Sequence, residues 1–297
     1  MNTKAHGKRQ SMNIILAKEM GFCYGVKRAI EMTQAVAKEK GEIHTLGQLV
    51  HNPSVIEKLQ DDGINVVADM EAIPQDGIAT ITAHGTGKAV TEQIAEHNLD
   101  LLDATCPIVS KVHRIVQEHA ERGYQILIFG DPTHKEVRGI LGWSAGRGVA
   151  VANAEALDSV RLRRKICLVS QTTQTVERFQ AVARRLMDLA LEDALEVHVV
   201  NTLCFATTKQ QAAARDIIPQ VDVMIVVGGR NSANTTHLAE IAHEAGTPTY
   251  HIETAAELDP AWFARTDSVG ITAGASTPDW SVKEVVDWLK ELDAVAS

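Results

Sequence analysis

The stretch LDATCPIVSKV, Leu102 to Val112, carries an apolar run into a single cysteine, then a proline, then a helical pattern. Branched and apolar residues ending in Asp and Thr read as a strand, and proline just after Cys106 suits the first position of a helix. Cys106 therefore stands at a strand-to-helix corner, where unpaired N–H groups and the helix dipole favour a thiolate. No second cysteine lies within thirty residues of it. The same corner recurs at CYGVKRAI, led by Cys23, and at CFATTKQQ, led by Cys204.

Aligning the chain on these three cysteines exposes a repeat. A glycine lies 24 residues beyond each: Gly47, Gly130 and Gly228. Four residues further stands a ligand-type side chain, His51, His134 or Ser232. Each unit then ends in small and polar residues: TAHGTG with His84, SQTTQ with Thr172 and Thr173, TAGAST with Ser276. Twelve short Val- and Ile-rich runs separated by nine helical patterns give an alternating α/β chain, and runs apolar throughout suit parallel sheets covered on both faces. The expectation is three units of four mostly parallel strands at 13–98, 99–195 and 196–297, the last closed by a C-terminal helix, after a disordered leader at 1–12. Groups at the carboxyl ends of such strands face the functional edge. If the three edges share a centre, three cysteines meet there. Cys167, mid-strand in KICLVSQ, reads as a core residue.

Composition narrows the classes. At 297 residues, with 45% hydrophobic and 23% charged residues, the chain suits a folded globular protein. A net charge of −9 with scattered Lys and Arg argues against a general nucleic-acid binder. No apolar stretch approaches the roughly 20 residues of a membrane span, and MNTKAHGKRQSM lacks the apolar block of a signal peptide. The reading is a cytoplasmic protein without disulfides.

Three converging thiolates could hold zinc with a fourth ligand, or an iron–sulfur cluster with one iron left open. Separations of 83 and 98 residues are unlike the close C-x-x-C pairs of structural zinc sites. Histidines 51, 84 and 134, with the polar loops GGRNSANTT and GASTPDW, suit phosphate oxygens. Glu136 is the carboxylate next to this set; buried near negative charge it can hold a proton at neutral pH, although a first-turn glutamate is an equally good account. Thr172 can orient a hydroxyl or relay that proton, or cap a helix.

Nine motifs in order, GFCYGVKRAI, VHNPSVIEKL, AHGTG, DATCPIVSKVH, HKEVRG, SQTTQTV, CFATTKQQ, VVGGRNSANTTHLAE and TAGASTPDW, resemble the 4-hydroxy-3-methylbut-2-enyl diphosphate reductases (IspH/LytB family), the last step of the methylerythritol phosphate route to isoprenoids. The resemblance runs from Asn13 to about Leu292. It implies a trefoil of three α/β units around a [4Fe–4S] cluster on Cys23, Cys106 and Cys204, its fourth iron open to the substrate hydroxyl. It further implies that His51, His84, His134, Ser232, Asn234 and Ser276 hold the diphosphate, that Thr172 lies near the hydroxyl, and that Glu136 supplies a proton. The products implied are isopentenyl and dimethylallyl diphosphates, the electron donor a ferredoxin or flavodoxin, and the protein a monomer. Two departures from the family pattern are Ala233, where a second serine is common, and Lys135, where proline is common. Two other readings are a quinolinate synthase-like cluster enzyme, which calls for carboxylate-binding arginines where only Arg138 and Arg230 stand, and a zinc-stabilised phosphate-binding module.

Overall fold

The computed structural model describes residues 11–193, 195–264 and 266–296. All twelve expected strands form: β1 (Asn13–Leu16), β2 (Ile43–Leu46), β3 (Ile64–Val67), β4 (Ile78–Ile81), β5 (Asp100–Asp103), β6 (Gln125–Phe129), β7 (Gly148–Val151), β8 (Lys165–Ser170), β9 (Glu196–Val199), β10 (Val223–Val227), β11 (Thr249–Ile252) and β12 (Ser268–Ala273). Between them run α1 (Tyr24–Lys40), α2 (Pro53–Asp61), α3 (Lys88–Glu96), α4 (Pro107–Glu121), α5 (Lys135–Gly142), α6 (Val176–Glu192), α7 (Phe205–Ile217), α8 (Ala233–Glu244) and α9 (Asp279–Ala296). Short 3-10 turns such as Glu155–Ser159 and Pro260–Phe263 were not legible in the sequence.

The strands make three four-stranded sheets, and every pairing is parallel. Their orders are β3-β2-β4-β5, β7-β6-β8-β9 and β11-β10-β12-β1. The pattern is one and the same, and it corrects the strand grouping implied by 13–98, 99–195 and 196–297. β5 pairs with β4, not with the strands that follow it, and β9 pairs with β8. The cause is the crossover: a parallel strand reached through a helix returns to the sheet it left, so β5 finishes its sheet before the chain departs at Cys106. The repeating frame therefore starts at each cysteine. In the last sheet the place beside β12 is taken by β1, from the other end of the sequence, with Asn13 to Leu16 opposite Ser268 to Ile271.

Two compact units result, one of the described residues up to Phe22 with those from Lys209 onward, the other of Cys23–Thr208. In the second unit, alternation along β6 sends Ile126 and Ile128 to one core, with Val116, Val137 and Val169. It sends Leu127 and Phe129 to the opposite core, with Leu157, Phe179 and Leu186. Cys167 is fully buried in the first of these, and burial pushes its thiol up to about 12. In the first unit, Val227, Ile271, Phe263, Val285 and Leu289 form the core. Residues 1–10 of the expected leader lie outside the described residues. Met12, assigned to that leader, packs into this core and its N–H donates to Asp293 Oδ1 at 3.0 Å.

Candidate functional site

The three corner cysteines come together in the Cys23–Thr208 unit. Cys23 caps α1, its sulfur accepting from the Val26 N–H at 3.5 Å. Cys106 caps α4 ahead of Pro107, and its N–H donates to the Ala83 carbonyl at 3.0 Å. Cys204 precedes α7, its N–H donating to the Thr172 carbonyl at 2.8 Å and its carbonyl accepting from the Thr208 N–H at 3.0 Å. All three are half-buried free thiols. Cys23 feels the charges of Cys106 and Cys204, and Cys106 that of Cys204.

Gly25 lies between two of the sulfurs. A Cβ there would stand 2.5 Å from Cys106 Sγ and 4.0 Å from Cys23 Sγ, so only glycine leaves both sulfurs where they are. Burial, and after it the neighbouring sulfurs, push the Cys23 thiol up, against the Val26 N–H; burial does the same at Cys106, with Cys204 and Glu136 adding to it. Gathering thiols that resist ionisation makes chemical sense around a cationic centre, which reverses the preference. Among the described residues no three His, Cys, Asp or Glu side chains converge tightly enough for one metal ion.

Glu136 adjoins this centre. It is 2% exposed, in the first turn of α5, and grips Thr172 twice: the Thr172 N–H donates to Oε1 at 2.6 Å and the hydroxyl to Oε2 at 3.0 Å. Burial pushes its carboxyl up to about 7, against the pull of both bonds. Helix α6 is capped by Thr175, which leaves Thr172 to the carboxylate.

One residue before Glu136 the site turns basic. The rings of His51, which follows β2, His84, which follows β4, and His134, the cap of α5, meet with centroids 4.3, 5.6 and 5.7 Å apart. His134 Nδ1 accepts from the Glu136 N–H at 3.1 Å, which ties the trio to the carboxylate. Burial drives His51 down to about 4 and His84 well below its ordinary value, and the neighbouring cationic groups add to both. The Lys135 ammonium lies against Gly47, where no Cβ blocks it, and burial lowers its pKa. Beside it opens a cavity of about 290 Å³ lined by Thr82, Gly85, Thr86, Lys135 and Arg138.

The other polar set lies in the first unit. Ser232 caps α8, accepting from the Thr235 N–H at 3.4 Å. Asn234 Nδ2 donates to Gln210 Oε1 at 2.8 Å, and Gln210 Nε2 donates to the Gly21 carbonyl at 2.8 Å. Asn234 Oδ1 is buried and has no hydrogen-bond partner among the described residues. Ser276 is buried after β12, beside Thr277, whose hydroxyl donates to the Val227 carbonyl at 2.9 Å.

The LytB protein family profile matches residues 14–290. The chain belongs to the LytB family. A 4-hydroxy-3-methylbut-2-enyl diphosphate reductase of Geobacter sulfurreducens is 41% identical over 282 residues, covering 95% of this chain and 98% of that one. The reductase of the same name from Dehalococcoides mccartyi is 39% identical over 286 residues, covering 96% and 100%. Among solved structures, the E-1-hydroxy-2-methyl-but-2-enyl-4-diphosphate reductase of Plasmodium falciparum superposes with a TM-score of 0.88 at 29% identity, over 94% of this chain and 88% of that chain. A second, an (E)-4-hydroxy-3-methyl-but-2-enyl diphosphate reductase that is the terminal enzyme of the non-mevalonate pathway, does so at 0.68 and 38% identity, over 94% and 99%.

In this LytB-family chain some site features escape a reading by motif. Lys135 was visible only as a departure from the family pattern; its place against Gly47 could have been suspected from the offset that puts Gly47 and Gly130 at matched strand ends. Gln210, which holds Asn234, gave no local signal, because the two are 24 residues apart and meet only in the fold.

Proposed function

We propose that this chain is a 4-hydroxy-3-methylbut-2-enyl diphosphate reductase, and that Cys23, Cys106 and Cys204 hold a [4Fe–4S] cluster with one iron free of protein ligands. The observation that carries this reading is the gathering of the three cysteines with the Glu136–Thr172 pair in one unit of a LytB-family chain. When bound, such a cluster supplies electrons and a Lewis-acidic iron. The residues do the rest. Glu136, its carboxyl raised to about 7, keeps a proton in reach of neutral pH that leaves with the allylic hydroxyl as water, and Thr172 keeps that carboxyl aimed. Breaking the C–O bond and forming a C–H bond takes two electrons and two protons, giving isopentenyl or dimethylallyl diphosphate and one water. His51, His84 and His134 bind the diphosphate, Lys135 adding charge; Ser232, Asn234 and Ser276 serve the same group on the strength of the resemblance. Holding the chain by its diphosphate fixes the hydroxyl and spares the reaction that entropy.

A ferredoxin or flavodoxin provides the electrons, and the protein works as a monomer in the cytoplasm. Among the described residues no helix is long and apolar enough to cross a membrane. Arg230, one of the two arginines a dicarboxylate site would need, is paired with Glu257 and with Glu253 at 3.6 Å. The decisive assay supplies anaerobic protein with the allylic diphosphate and reduced methyl viologen. Two viologens oxidised per five-carbon diphosphate formed is the expected result; no viologen oxidation, or formation of a pyridine dicarboxylate from the quinolinate synthase substrates, refutes the proposal.

The histidine trio predicts proton uptake. A diphosphate beside rings held neutral raises their pKa, so binding at pH 6–7 takes up protons and weakens as pH rises. Calorimetry in two buffers of different ionisation heat should show about one proton gained, and identical heats would contradict it. Cys167→Ser should leave iron content unchanged while costing about 1–3 kcal/mol in urea unfolding, since a hydroxyl replaces a thiol in an apolar core. Loss of iron in that variant would contradict the ligand assignment.

A further inference from the structure

Beside each corner cysteine an apolar side chain stands in the open. Tyr24, one residue after Cys23, is 71% exposed; Phe205, one after Cys204, is 72% exposed; Ile108, two after Cys106, is 40% exposed. Single exposed apolar residues are ordinary, but here three start the three helices whose first turns surround one cysteine centre. One turn further on, α1 and α4 carry the exposed cations Lys27 and Lys111, with exposed Arg114 close behind. Lys27 reaches Glu31 only at 4.0 Å, a solvent-screened pair, and Lys111 makes no ion pair among the described residues. In a chain of net charge −9, the rim of this centre is locally positive.

We propose that this face, with Tyr24, Ile108 and Phe205 at its middle and Lys27 and Lys111 at its rim, is the docking surface for a small acidic electron-carrier protein. The proposal rests on the redox reading given above. An apolar middle with a charged rim is the build of a transient interface, and basic side chains opposite an acidic partner speed encounter and set orientation. Electron transfer weakens steeply with distance, so a protein carrier has to settle where the cysteine centre comes nearest to solvent. The half-buried cysteines beside Tyr24 and Phe205 mark that place. Each encounter passes one electron and oxidises the carrier by one; two encounters supply the two electrons that one turnover consumes.

The test measures binding separately from catalysis, with an oxidised flavodoxin and an oxidised [2Fe–2S] ferredoxin, both acidic, as probes. Titration calorimetry or NMR line broadening gives the affinity of each for the native protein and for Lys111→Glu, Tyr24→Ser and Phe205→Ser. Each variant should bind the preferred carrier about tenfold more weakly. Raising salt from about 50 to about 300 mM should weaken native binding more than that of Lys111→Glu. Turnover with reduced methyl viologen, which needs no docking face, should stay within about twofold of native. Unchanged carrier affinity in all three variants, an equal fall in viologen-driven turnover, or no binding of either carrier to the native protein overturns the proposal. If viologen drives no turnover in the native protein, the enzymatic reading fails, while the carrier affinities still decide the docking face.

Discussion

Glu136→Gln should lower turnover by about 10²- to 10⁴-fold, the usual worth of a positioned general acid, with little change in iron content or substrate affinity. Glutamine keeps the size of the side chain and one oxygen to accept from the Thr172 N–H, so the loop that also receives the Cys204 N–H stays in place. What disappears is a proton that burial keeps on the carboxyl up to about pH 7. The sign follows from the direction of the shift: a carboxyl raised to about 7 is protonated through the ordinary carboxylate range and loses its proton as pH rises through about 7, so native turnover should decline on the alkaline side of neutrality. The small residual activity of Glu136→Gln should not share that decline. Steady-state rates between pH 6 and 9, with iron and ligand affinity measured alongside, make the check; turnover like the native removes Glu136 from the chemistry. Thr172→Val, which keeps shape and deletes the bond to Oε2, should cost less, about tenfold, because the backbone N–H still holds the other oxygen.

Gly25→Ala sets a local gain against a loss at the centre. Gly25 is buried within α1, where alanine normally adds about 1 kcal/mol of helix stability. The added carbon would stand 2.5 Å from Cys106 Sγ, where non-bonded contact asks for roughly 3.5–4.0 Å. Cys106 cannot easily give way, since its backbone is fixed at the cap of α4 by Pro107 and by the bond to the Ala83 carbonyl. The same overlap is present without metal, so the expected protein melts no higher than native despite the helix preference, and it keeps cluster at least about tenfold more weakly than native. Iron and labile sulfide per chain, beside a circular-dichroism melt, separate the two effects. Full iron occupancy would show that the sulfur has room that the geometry denies.

How far the sequence disclosed this depends on which residues carry the information. Strands such as QILIF at β6 and VMIVV at β10 are buried along their whole length and announce themselves by composition. Sheet membership does not, because β1, β5 and β9 are edge strands with exposed Leu16, Leu101 and Val199, and their partners are fixed by crossovers and not by local pattern. Aligning on the cysteines gave the true repeat, whereas cutting the chain at the strand before each cysteine misassigned those three edges. The Glu136–Thr172 pair was half legible: a helix-start glutamate and a strand-end threonine were both suspect, but only the fold brings them within 3.0 Å. Lys135 and Gln210 owe their places to contacts across the fold that no local motif carries.

Mössbauer spectroscopy of iron-57-enriched protein, recorded with and without the allylic diphosphate, tests the central claim most directly: Cys23, Cys106 and Cys204 share one inorganic centre with a vacant coordination position. A four-iron centre in which one iron changes its signal when substrate is added is the predicted result. Four irons indifferent to substrate, or a protein isolated without oxygen that carries zinc and no iron, would contradict it.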